Sequence, residues 1–386
     1  MLNYKIYLAV IFFCCILISC NSGKENPNKK IPTAIKAEAG SEIKYAKRYG
    51  IAKVNGYTTL YLFGNRNTKD TTATFILYPR SQEKPDLIKN AFYIATPVER
   101  VAAMGTVYVS MIQKLGLLDR IVAVENVDYY NNRFIIDGVK QKKIQELSKG
   151  PQINIEQTLV LNPDLIITFG MGNPKMDMSD KILAAGIPAA ISLDHLEETP
   201  LARAEWIKFV ATFFNKEQMA DSIFKVTESN YNQLKNFCDS VETKPTVFTD
   251  IKYGDAWYVP GGDSYISNII NDAGAQYIWR DEKKTGSIPL NFESVFAKAK
   301  DADYWINLFM INSKKELLGY EPRYNLFKAY KTGNIYNNNK VSNAKNYSIY
   351  WEEGICNPDE VLKDLIKIFH PEVLPDHTLK YYKKIE

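Results

Sequence analysis

Side chains of three kinds in this 386-residue chain could do chemistry. The first kind is aromatic or polar and falls at the ends of expected strands. In the first half these are Thr106, Tyr108, Tyr129, Tyr130, Met171 and His195; in the second they are Trp257, Tyr258, Tyr265, Asn307, Trp351 and Glu352. Rings from two sides suit a large, flat or chelated ligand, because they offer contact area together with a polar handle. Tyrosine oxygen and histidine nitrogen can also ligate iron. The second kind is a pair of glutamates, Glu156 and Glu293, each in the first turn of an expected helix. The helix dipole favours an acid there even without a function. The third kind is a cysteine, Cys20.

Cys20 closes a segment with one charge, Lys5, followed by an apolar run from Ile6 to Ile18 and the sequence Leu17-Ile18-Ser19-Cys20. The run is too short for a membrane-spanning helix, which takes roughly 20 residues. A small residue followed by cysteine stands where a signal peptidase cuts. Residues 1–20 thus resemble the leader of bacterial lipoproteins, and the resemblance implies acyl chains on Cys20 and a domain tethered outside the cytoplasm. Cys14 and Cys15 leave with the leader. A bridge between Cys238 and Cys356 and two buried free thiols both remain open.

The 48 basic and 44 acidic residues nearly balance, without a long run of one sign, so nothing requires nucleic acid. Enzyme signatures are missing: there is no Gly-x-Ser-x-Gly elbow, no His-Glu-x-x-His and no cysteine cluster. A site for bare zinc or manganese would want several histidines, yet only His195, His370 and His377 occur, the last two at the C-terminal end. Gly170-Met171-Gly172 and Gly261-Gly262 permit close backbone approach but lack the spacing of a phosphate loop.

The elements that must position these residues follow from periodicity. Residues 21–42 read as a flexible tether, and 43–90 as a three-stranded antiparallel meander around the hairpin signal Asn55-Gly56. Residues 91–214 and 245–370 alternate short apolar strands with helices, which implies parallel sheets covered on both faces and a ligand edge at the strands' carboxyl ends. Between them, 215–244 reads as one helix of roughly 40 Å, started by a capping box of Asn215 and Gln218. The two α/β segments echo one another. Asn154-Ile155-Glu156 precedes Asp164 as Asn291-Phe292-Glu293 precedes Asp301, and Gly105 and Gly116 bracket a helix as Gly262 and Gly274 do. Residues 371–386 form a tail.

From roughly Phe92 to Pro371 the chain resembles the periplasmic substrate-binding proteins of ABC importers for iron-siderophores, haem and cobalamin. The resemblance rests on Pro97-Val98-Glu99-Arg100-Val101, on Leu115-Gly116-Leu117-Leu118-Asp119-Arg120-Ile121-Val122-Ala123-Val124, and above all on Asn154-Ile155-Glu156 with Asn162-Pro163-Asp164-Leu165-Ile166-Ile167. Gly186-Ile187-Pro188 also fits. It implies two similar three-layer α/β lobes joined by a single long helix and preceded here by the meander. It further implies a monomer without catalysis or resident cofactor, a cleft between the lobes, and docking of Glu156 and Glu293 onto arginines of the permease. An iron chelate is the leading ligand: haem would use the tyrosines and His195 as axial ligands, and an anionic ferric siderophore would use Arg133 and Arg280. A corrinoid, or a surface scavenger that never docks on a permease, is the alternative.

Overall fold

Short apolar strands assemble into two parallel sheets in the computed structural model, which describes residues 42–65, 70–148, 152–170, 177–239 and 241–386. The leader with Cys20, the tether before Glu42, and Met171 lie outside the described residues. In the first sheet the strands Gln145–Glu146, Ile121–Val124, Val101–Met104, Leu165–Phe169 and Ala189–Ser192 lie in that order, all parallel. The central strand is buried at every residue. Its side chains alternate between layers, as strand geometry requires: Val101 and Ala103 enter one core, and Ala102 and Met104 enter another on the opposite face.

The second sheet runs Gln276–Tyr277, Thr246–Thr249, Tyr304–Ile306, Ile335–Asn337 and Lys383–Lys384, the last pairing antiparallel. The two lobes share a device at matching helix ends. Gly116 (φ 71°) and Gly274 (φ 75°) are left-handed, and the next residues, Leu117 and Ala275, donate back to Ile112 and Ile270 at 3.1 and 3.2 Å. Only a residue without Cβ adopts that cap at little cost.

The helix Glu217–Asp239, 23 residues and roughly 35 Å long, joins the lobes. It is not started by a capping box at Asn215. Asn215 is left-handed (φ 56°), and Lys216 N–H donates to Ala211 O at 3.0 Å, so these residues close the preceding helix, Pro200–Thr212. A polar residue between two helices serves either end, and the left-handed tolerance of asparagine decided for the first. Pro200–Thr212 is buried on every side except at Arg203, and its buried charges are paired, Lys208 Nζ lying 3.1 Å from Glu205 Oε1.

The N-terminal sheet has four strands, Tyr49–Val54, Tyr57–Asn65, Asp70–Pro79 and Phe92–Thr96. The hairpin turns at Asn55 (φ 51°) and Gly56 (φ 82°), the two positive values a two-residue turn of this hand needs. Expected as the start of the first lobe, Phe92–Thr96 instead extends this sheet, parallel to Asp70–Pro79. A parallel neighbour is reached through a crossover, which local patterning does not reveal. Phe75 and Tyr49 pack on Trp206, Phe209 and Phe213 of the buried helix. Ahead of the sheet, Glu205 accepts the backbone N–H groups of Lys44, Tyr45 and Ala46 at 2.7–2.9 Å, and Glu197 those of Lys47 and Arg48 at 2.9 and 3.0 Å. These buried carboxylates clamp the chain to the body just after Glu42.

Two further departures concern the second lobe. A three-stranded sheet, Lys252–Tyr253, Ala256–Pro260 and Ser287–Leu290, interrupts it unannounced by the α/β alternation. The C-terminal tail is no appendage: Tyr381 and Tyr382 are buried, and Asp364 on the closing helix Pro358–Phe369 holds their backbone. Cys238 and Cys356 are both buried, and no disulfide joins them. Among the described residues no helix is long and apolar enough to cross a membrane.

Candidate functional site

The carboxyl ends of the strands of both sheets surround a cavity of about 930 Å³, at the upper end of the range for small-molecule sites. From the first lobe come Thr106 after Val101–Met104, Glu125 after Ile121–Val124, Phe169 closing its strand, and Asp194 with His195 after Ala189–Ser192. The second lobe contributes Asp250 after Thr246–Thr249, Asn307 and Phe309 after Tyr304–Ile306, and Asn338 after Ile335–Asn337. Strand ends present side chains to a crevice because the helices that follow turn away from it.

Of the residues singled out from sequence, Thr106, Tyr108, Tyr129, His195, Asn307 and Trp351 line this cavity. Tyr108 is nonetheless deeply buried, its hydroxyl donating to Asp194 Oδ1 at 3.1 Å. Trp351 is half exposed, its ring 4.9 Å from Tyr350.

Others do not reach the cavity. Trp257 is fully buried among Phe248, Trp305, Tyr324 and Phe327, with its indole N–H on Thr249 O at 3.0 Å. It sits inside a strand rather than at a strand end, so its ring went to the core. Tyr258, its neighbour, points to the opposite face of the same strand and is exposed, paired with Pro289. Tyr130 is buried and donates to Glu125. Tyr265 is buried with the Arg203 guanidinium 5.0 Å from its ring centre. Glu352 is buried and accepts Asn131 N–H at 2.7 Å, across the lobe boundary. Met171 lies outside the described residues.

The Glu352 contact belongs to a bridge. Residues 343–356 of the second lobe reach the first through Asn343 Nδ2, which donates to Asp128 O at 2.8 Å and Tyr130 O at 3.0 Å. Asn131 Nδ2 donates to Tyr347 O at 3.2 Å, and Thr106 Oγ1 to Trp351 O at 3.4 Å. The rings of Tyr129 and Tyr347 meet edge to face at 4.8 Å, so one wall of the cavity is an aromatic pair drawn from both lobes.

Sequence reasoning missed several lining residues. Arg203 is the one residue of its helix facing the cavity; its Nη2 lies 3.3 Å from Asp194 Oδ2, and its buried Nε–H has no hydrogen-bond partner. Glu125 and Asp250 directly follow strands, a position that strand prediction alone could have flagged. Burial pushes the Glu125 carboxyl up to about 7 and the Asp250 carboxyl also up to about 7. Desolvation lowers the His195 imidazole, favouring its neutral form. Phe169 and Phe309 are each about 60% exposed, an unusual state for a phenylalanine outside a binding surface.

Phe309 is also left-handed (φ 54°), as is Asn307 (φ 62°). A bulky residue there is strained and needs external support. Asn337 provides it, accepting Leu308 N–H at 2.7 Å and donating to Phe309 O and Ile311 O at 2.8 Å each. From the C-terminal tail, Tyr382 hydroxyl donates to Asn307 Oδ1 at 2.8 Å.

Glu156 and Glu293 line no part of the cavity. Each follows an asparagine N-cap, Asn154 and Asn291, whose side chain accepts a first-turn N–H at 3.0 and 2.8 Å, and both glutamates are exposed. Glu293 pairs with Arg323 at 3.0 Å, whose guanidinium stacks on Phe292.

This architecture is that of a two-lobed solute-binding protein. Residues 101–340 match the periplasmic binding protein family, and the chain belongs to it. The chain is 28% identical over 322 residues to an uncharacterized lipoprotein of Methanocaldococcus jannaschii, covering 79% of this chain and 73% of the relative. It is 24% identical over 191 residues to a vitamin B12-binding protein of Yersinia pestis, covering 49% and 63%. A periplasmic haem-binding protein of Pseudomonas aeruginosa superposes with a TM-score of 0.56 at 16% identity, over 75% of this chain and 98% of that one. Family members are binding proteins, and a second lipoprotein of Methanocaldococcus jannaschii is 31% identical over 263 residues, covering 65% of this chain and 63% of the relative.

Proposed function

We propose that this protein, anchored through lipid on Cys20, captures a metal chelate between its lobes and delivers it to an ABC permease. The chelate is an iron complex, ferric siderophore or haem, or in the alternative a corrinoid. The cavity carries the reading: about 930 Å³ at the strand ends of both lobes, walled by Tyr129, Tyr347, Phe169, Phe309 and Trp351. Flat apolar walls on several sides match a large ring system or a wrapped metal better than a sugar or an amino acid. Among the described residues no group of three or more histidine, cysteine or acidic side chains could hold a bare ion, which supports a ligand that brings its own coordination shell.

Titration of the mature chain with ferric siderophores, haemin and cobalamin tests this by calorimetry and by emission of Trp351. A coloured chelate against that ring quenches it, and Trp351→Phe removes that part of the quenching. A panel without heat or quenching would overturn the chelate reading. Delivery is assigned to the exposed Glu156 and Glu293, whose acids would meet permease arginines and steer association more than strengthen it.

A further inference from the structure

The charges around the cavity carry a narrower conclusion, which rests on the chelate reading above. Among the described residues, the acids lining it are Glu125, Asp177, Asp194 and Asp250, and the one permanent cation is Arg203. The cation is already matched. Arg203 Nη2 lies 3.3 Å from Asp194 Oδ2, and its guanidinium stands over the Tyr265 ring at 5.0 Å. Asp194 in turn is committed, accepting from Tyr108 at 3.1 Å and from Ser192 at 2.8 Å. With that pair cancelled, and Asp177 engaged in an interaction of its own, the acids left to a ligand among the described residues are Glu125 and Asp250. Arg133 and Arg280, which an anionic siderophore would have used, line no part of the cavity.

Glu125 and Asp250 have capacity left. Glu125 accepts from the Tyr130 hydroxyl and from the backbone of Gly105 and its own residue, and Asp250 accepts from the Thr249 hydroxyl at 2.6 Å. Each carboxylate has room for about four donors in all. The two come from opposite lobes, one after a strand of each sheet. A ligand seated between the lobes that carries N–H, O–H or ammonium groups on its rim can satisfy both. A ligand rimmed with carboxylates meets like charge in a half-buried site, where repulsion is poorly screened. The buried Nε–H of Arg203 offers one donor to a carbonyl oxygen, which an amide rim also supplies.

We infer that the cleft selects an uncharged or cationic chelate whose rim bears hydrogen-bond donors, and turns away polyanionic chelates. Haem with its two propionates and ferric citrate fall in the rejected class; an amide-rimmed corrinoid or a ferric hydroxamate carrying an ammonium group falls in the accepted one.

The test compares four probes on the mature chain at pH 7.5 by calorimetry: cyanocobalamin, a ferric trihydroxamate with a free ammonium group, haemin and ferric citrate. The tighter of the first two should bind at least tenfold more tightly than the tighter of the last two. Glu125→Gln and Asp250→Asn, checked for a native melting curve, should each narrow that ratio at least threefold, because a neutral amide no longer repels an anion. An anionic probe that binds tightest would overturn this inference and leave the chelate reading standing. An unchanged ratio in both folded variants would overturn the assignment to these two residues. Failure of all four probes would remove the chelate reading, and this one with it.

Discussion

Replacing Asp364 by alanine should loosen the C-terminal tail and, through it, the cleft. Asp364 is fully buried. Its carboxylate accepts Lys380 N–H at 2.9 and 3.0 Å, Tyr381 N–H at 2.6 Å and Tyr382 N–H at 3.1 Å, and it meets His377 Nε2 at 2.7 Å. If the tail stayed in place, three backbone donors would be stranded at roughly 1–3 kcal/mol each, about 3–9 kcal/mol in all. If it detached, those donors would find water, but the burial of Tyr381 and Tyr382 would be lost, about 1.5–3 kcal/mol per side chain and so about 3–6 kcal/mol. The chain takes the cheaper route, and the loss should be about 3–5 kcal/mol, in line with removing one partner of a buried charged cluster. Detachment also withdraws the Tyr382 hydroxyl from Asn307, so the left-handed loop carrying Phe309 loses one of its supports. Urea unfolding followed by tryptophan emission reads the first effect, and chelate titration below the unfolding transition reads the second. Tyr382→Phe separates them: it keeps the buried ring, should cost about 1 kcal/mol of stability, and should still weaken binding. A D364A protein within 1 kcal/mol of wild type, with unaltered affinity, would refute the tail's role in both.

Three other outcomes follow. Glu125 and Asp250 hold protons up to about pH 7 in the folded state and release them lower when unfolded, so the ligand-free protein should lose stability as pH rises from 6 to 8 by about 1 kcal/mol per group; melting curves of wild type and E125Q would check this, and a variant with the same slope would count against it. Reversing Glu156 and Glu293 to arginine should leave chelate affinity within about 1 kcal/mol, since neither lines the cavity, while abolishing uptake in cells if the proposed docking holds; E293R also trades its exposed ion pair with Arg323 for a repulsion that solvent screens. Ligand should change the radius of gyration in solution scattering only slightly, because the joining helix and the bridge at residues 343–356 both resist opening; a large contraction would show that the bridge breaks.

The fold was legible where local chemistry determines geometry. Helices Ile155–Leu161 and Phe292–Ala299 start after Asn154 and Asn291 because an asparagine side chain accepts a first-turn N–H. Asn55-Gly56 turns because both residues tolerate positive φ. Features that depend on partners distant in sequence were not legible. Phe92–Thr96, counted with the first lobe from sequence, joins the N-terminal sheet by a crossover. The tail carries no long apolar run, yet Lys383–Lys384 completes the second sheet because Asp364, some twenty residues earlier, gathers its backbone.

At the site the same division has a sharper form. Proximity to a strand's carboxyl end brought Thr106, His195 and Asn307 to the cavity, and it would have flagged Glu125 and Asp250 had acids been sought as readily as aromatics. Which way a side chain points is another matter. Trp257 and Tyr258 are adjacent, and strand alternation sends one into the core and the other to solvent. Arg203 was invisible because its helix is buried on every other side, so periodicity marks no polar face on which to look for it. Yet Arg203 and its partner Asp194 decide the cavity's electrostatics. A tally of cationic residues near loop ends names Arg133 and Arg280, neither of which lines the cavity, and overlooks an arginine that is there but already neutralised. Ligand class in a fold of this kind is therefore set less by which charges the chain contains than by which of them the packing leaves without a counter-charge. On the inference above, those are, among the described residues, the carboxyls of Glu125 and Asp250.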